Sequence, residues 1–133
     1  MTIQQAIKEL EFEWMSDDGF FNKLKAATLD REGYERVKRM MWSIEIPGEE
    51  TKEIDRYFVH LVHQIPPFMT HQGQRMIKYY GDDGVSKIVA VVNQLANRLL
   101  TYPYNKGTDD VLFAQKKMKA NGFDIEDPLE GLR

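Results

Sequence analysis

The stretch from Asp83 to Thr101 limits what this chain can fold into more than any other part of it. Val85, Ile88, Val89, Val92, Leu95, Ala96, Leu99 and Leu100 recur there at three- and four-residue steps, the spacing of one side of a helix. Val91 widens the stripe, while Lys87, Gln94, Asn97 and Arg98 gather on the other side. So broad a stripe needs cover from several neighbours. The expectation is an all-α fold, a single bundle of six or seven helices around a central apolar helix at about 83–101. Each aliphatic side chain buried there contributes about 1.5–3 kcal/mol.

The rest of the chain supplies the cover. Thr2 caps a first helix with Ile3, Ala6, Ile7, Leu10 and Trp14 on one side. Phe12 falls on the opposite side, so we expect that helix to end near Glu11, the other reading being an exposed aromatic. Ser16-Asp17-Asp18-Gly19 interrupts the pattern and caps a short second helix with Phe20, Phe21 and Leu24. Asp30 caps a third, in which Tyr34, Val37, Met41 and Ile44, with Met40 and Trp42, face inward until Pro47-Gly48 stops it. Thr51 opens a fourth, with Ile54, Tyr57, Phe58, Leu61, Val62 and Ile65 inward, and Pro66-Pro67 ends it. Thr70 opens a fifth with Met76, Ile77 and Tyr80, weakened by Gly73 and closed by a left-handed Gly81. After the central helix, Thr108 or Asp109 caps a last one with Val111, Leu112 and Met118, and residues 124–133 form a short irregular acidic tail.

At 133 residues the chain suits one domain spanning 1–133, and 42% hydrophobic with 29% charged residues argues against wholesale disorder. The absence of cysteine excludes disulfides, thiolate metal ligands and cysteine nucleophiles. A formal charge of −3 supplies no global positive field for nucleic acid. The first ten residues lack the basic start and apolar core of a signal peptide, and no run approaches a membrane span. We expect a soluble, cytoplasmic protein.

Chemistry-bearing groups are sparse. His60 and His63, three apart, have a spacing that can chelate a metal, but no glutamate follows His60 as a helical zinc-protease motif requires. Asp17-Asp18-Gly19 and Asp82-Asp83-Gly84 lack the alternating oxygen ligands and closing glutamate of a calcium loop. Aspartates at such places satisfy the free amides of a helix start. No phosphate-binding glycine loop or nucleophile elbow is present. Lys116, Lys117 and Lys119 with Arg98 read as a solvated helix face. We therefore expect no enzyme, no metal and no cofactor.

Two acidic runs are more suggestive. Glu9, Glu11, Glu13, Asp17 and Asp18 follow one another without lysine or arginine, and Glu45, Glu49, Glu50, Glu53 and Asp55 are relieved only by Lys52. Such surfaces suit a basic partner. Trp14-Met15-Ser16, then Phe20-Phe21-Asn22-Lys23-Leu24, then Gly33-Tyr34 together resemble a pattern in immunity proteins of bacterial contact-dependent growth inhibition, over about the first 45 residues. Those proteins are small, often acidic and cytoplasmic, and each binds and blocks one cognate toxin domain, often a nuclease. The resemblance implies a toxin-neutralising function, with Trp14, Phe20, Phe21 and Leu24 structural. Carboxylates can mimic the phosphates that a nuclease site holds. The expected contact residues are Glu9, Phe12, Glu13, Asp17 and Asp18 on one patch and Glu49, Glu50 and Glu53 on another. The alternatives are a small helical enzyme or regulator using His60 and His63, or a general helical adaptor.

Overall fold

The computed structural model describes residues 1–44 and 54–101, and within them the chain is helical with no strand. Its helices are α1 (Ile3–Met15), α2 (Phe20–Lys25), α3 (Arg31–Ser43), α4 (Arg56–His63), α5 (Ile65–Tyr80) and α6 (Gly84–Thr101). The expected turn at 46–51, the last helix and the tail lie outside the described residues. No described helix is long and apolar enough to cross a membrane.

Among the described helices, two act as hubs. α6 packs against α3, α4 and α5, whereas α1 packs against α2, α3 and α4. The centre expected of 83–101 is thus shared between α6 and α1, with α3 and α4 touching both. Val85, Ile88, Val91, Val92, Leu95, Ala96 and Leu99 of α6 are buried, and Val89 and Leu100 partly so. On α1 the buried set is Ala6, Ile7, Leu10, Glu13 and Trp14. The Trp14 ring stacks on Phe21 at 4.3 Å and meets Phe68 edge-on at 4.9 Å, while its Nε1 donates to the Leu61 carbonyl at 3.2 Å. One indole therefore ties α1 to α2, α4 and α5, and its polar atom is satisfied inside the core.

Caps explain the ends. Thr2 and Gln5 form a reciprocal capping box, so α1 starts where its sequence places it. It then runs to Met15 without ending at Glu11, which leaves Phe12 outside at 40% exposure. α4 begins at Arg56, later than Thr51, because the Asp55 carboxylate accepts from the Tyr57 and Phe58 amides. Pro66 and Pro67 sit in the first turn of α5, which starts at Ile65 well before Thr70. Proline lacks an N–H that has no partner at a helix start, so the pair opens this helix as readily as it closes the previous one. Gly81 is left-handed at φ 62 and its N–H donates to Ile77 O, which closes α5 as expected.

Gly73 has a packing role. A Cβ there would stand 3.2 Å from Val89 Cγ2 and 3.4 Å from Ser86 Cα, so its absence lets α5 and α6 approach closely. Tyr57, Ile77 and Tyr80 depart from their expected inward faces and are exposed. Lys38 is buried, with Nζ 3.2 Å from Glu35 and lying over the Tyr34 ring. Arg98 is half-buried between α6 and α3, donating to Met41 O and lying over the Trp42 ring at 4.7 Å. Burial lowers its pKa.

Candidate functional site

The outward side of α1 carries Lys8, Glu9, Phe12 and Met15, since these positions follow one another at three- and four-residue steps opposite the buried set. Phe12 is 40% and Met15 63% exposed. An aromatic ring and a thioether one turn apart make an apolar spot on a helix that the Trp14 cluster and the capping box hold in place. Glu9 flanks the spot toward α3 and Glu11 toward α4, where Glu11 accepts from the Tyr57 hydroxyl at 3.1 Å. Desolvation together with that carboxylate raises the Tyr57 pKa. Asp17 and Asp18, both exposed, lie just beyond Met15. In residues 3–18 the only cation is Lys8.

Glu13 does not belong to this surface. It is 1% exposed, and its carboxylate accepts from Arg36 Nε at 2.9 Å and Nη2 at 2.6 Å. The same group accepts from the Phe20 amide at 3.3 Å. It thereby supplies the cap of α2, whose N-cap Gly19 has no side chain to do so. Asp17 and Asp18 do not cap α2 as expected. The expected patch of Glu9, Glu13, Asp17 and Asp18 thus loses its Glu13 member, because a buried carboxylate needs a cation and full hydrogen bonding inside.

Arg36 on α3 gathers what remains. Besides its fork to Glu13, Nη2 donates to Asp18 O at 3.2 Å, and the guanidinium lies over the Phe12 ring at 5.3 Å. The Glu13 hydrogen bond raises the Arg36 pKa against the opposing effect of burial, and Glu9 adds to the rise. Phe12, Glu13 and Asp18 therefore contact one guanidinium, whose charge Glu9 also favours. Next to it the outward side of α3 borders a hollow of about 630 Å³ lined by Arg31, Glu32, Glu35, Arg36 and Arg39. Its signs alternate and Arg36 and Glu35 already face partners, so it presents no single ligand charge.

No family model, curated protein or solved structure matches the chain. The candidate face rests on geometry alone.

Glu49, Glu50 and Glu53 lie outside the described residues. His60 and His63 are exposed on α4, and the Tyr57 ring stacks on His60 at 6.3 Å. Among the described residues no group of three or more His, Asp or Glu side chains is placed to hold a metal ion. Sequence reasoning missed Met15 and Arg36 as parts of the face. Met15 was readable, since it stands three residues after Phe12 on the same wheel. Arg36, 23 residues from Glu13, leaves no such local trace.

Proposed function

We propose that this chain is a binding protein that neutralises a cognate protein partner, and that the partner is a bacterial toxin domain with a basic surface. The observation that carries the reading is the α1 face: exposed Phe12 and Met15, with Glu9, Glu11, Asp17 and Asp18 around them. Aromatic and methionine side chains are favoured as interface anchors. A rim of one charge speeds encounter with a surface of the other and rejects like-charged competitors. The face is also built for recognition without rearrangement, because α1 is fixed at both ends and along its buried side. In this reading the protein is cytoplasmic, an immunity protein whose bundle of six or seven helices spans 1–133, and Glu49, Glu50 and Glu53 extend the acidic surface.

The test is to identify the neighbouring gene and, where it encodes a toxic domain, to co-express that domain with this protein. Protection from that domain and a complex that survives gel filtration are expected. Phe12→Ala with Met15→Ala should weaken the complex by about 100-fold or more, the loss of about 3 kcal/mol expected for anchor side chains. Raising salt should slow association several-fold and change dissociation less. A toxic neighbour that this protein neither binds nor blocks refutes the proposal. Protection lost in the His60→Ala, His63→Ala double variant with the α1 variants unaffected favours the regulator instead.

A further inference from the structure

We infer that the α1 face receives an arginine side chain of the partner, laid on the outward side of the Phe12 ring. This rests on the binding reading above and specifies what it binds. The first ground is the combination of surfaces. Phe12 and Met15 offer exposed apolar surface, and carboxylates stand on the α3 flank (Glu9), the α4 flank (Glu11) and the far end (Asp17 and Asp18). An apolar occupant would cover that surface but strip water from the carboxylates without replacing it. An ammonium would answer the charge, but it is strongly hydrated and gains little from the apolar surface. A guanidinium answers both, since it stacks on aromatic faces and forks onto carboxylates.

The second ground is that the fold already makes this contact once. Arg36 lies over Phe12 at 5.3 Å with its fork on Glu13. That guanidinium is held by Glu13 and Asp18 O and takes up one part of the ring, and Phe12 is still 40% exposed. Lys8 stands one turn before the Phe12–Met15 pair on the same face. Its charge opposes entry from that end, so the incoming side chain approaches from the Asp17–Asp18 end.

Hexa-arginine and hexa-lysine peptides, equal in length and charge, test this by NMR titration of the full chain. Hexa-arginine should shift the Phe12 ring and Met15 methyl signals and bind at least about three-fold tighter than hexa-lysine. Phe12→Leu should remove that preference, bringing the two peptides to equal affinity. Phe12 is a surface residue, so this variant should fold, and its melting temperature is measured beside it. Equal affinities at the α1 face overturn the arginine preference and leave the basic-partner reading standing. Shifts that map elsewhere for both peptides overturn the two together, whereas a preference that survives in Phe12→Leu overturns the stacking on Phe12 and leaves the basic-partner reading standing.

Discussion

Replacing Glu13 by alanine tests the internal logic of the α1–α2–α3 corner. Three losses coincide. Arg36 loses its fork, an ion pair whose carboxylate is 1% exposed and whose guanidinium is 39% exposed. Breaking a fully buried pair costs about 3–5 kcal/mol, but water can reach this guanidinium, which lowers the figure to about 1–2 kcal/mol. The Phe20 amide, bonded to Glu13 at 3.3 Å in a buried setting, loses its acceptor. That is worth about 1 kcal/mol. The missing side-chain stem leaves a small void worth about 1 kcal/mol more. The sum is about 3–4 kcal/mol, a large fraction of the roughly 5–15 kcal/mol that holds a domain together. Glu13→Gln keeps the stem and one acceptor, so about 1–2 kcal/mol is expected. Urea unfolding at neutral pH measures both, and a cycle with Arg36→Met isolates the pair at about 1–2 kcal/mol. A Glu13→Ala variant within about 0.5 kcal/mol of the parent would refute the reasoning, as would a glutamine variant as unstable as the alanine one.

Asp30 gives a pH dependence. Burial raises its carboxyl pKa, but the Gly33 backbone, Lys23 at 3.1 Å and Arg36 outweigh that and hold it below the ordinary 3.8. A depressed folded value contributes stability that is present above 3.8 and lost as pH falls through the lower folded pKa. Asp30→Asn should therefore flatten the acid limb of the stability profile below about pH 4, followed by urea midpoints. Gly73→Val forces α5 away from Val89 and Ser86 of α6, and a loss of about 1–3 kcal/mol in chemical denaturation is expected. Ala27 closes α2 in the left-handed region at φ 63, where a Cβ is crowded. Ala27→Gly should raise stability by up to about 1 kcal/mol, read as a rise in melting temperature.

Periodicity carried much of the architecture. The buried stripes of α1 and α2 and the glycine ending of α5 follow from residue type and spacing alone. Pro66-Pro67 misled because proline marks a boundary without saying which helix it belongs to. Glu13 sits three residues after Leu10 and seven after Ala6, squarely on the apolar face of α1. A carboxylate there signals a buried ion pair, and reading it by charge alone put it on the surface. Arg98 follows Val91 by seven residues, so the same wheel that widened the α6 stripe also points it toward α3. Its partners, Met41 O and the Trp42 ring, come from elsewhere in the chain. Contacts of that kind are set by how helices cross, which periodicity does not encode.

The two-hub layout also sets an order of assembly. α5 and α6 share the most extensive helix–helix interface in the described residues and are joined only by Gly81, Asp82 and Asp83. To meet α4 and the end of α3, the α1 segment must instead close long stretches of chain: Trp14 reaches Leu61 across 47 positions, and Met1 reaches Ser43 across 42. Closing a loop about fifteen times longer costs roughly 2.4 kcal/mol more in chain entropy. The α5–α6 hairpin should therefore form in the transition state, with α1 docking after it. In stopped-flow chevrons Ile88→Val should slow folding, whereas Ile7→Val should chiefly speed unfolding. The proposed binding face would then be among the last parts of the molecule to appear, and a partner could meet it only on a chain that has finished folding.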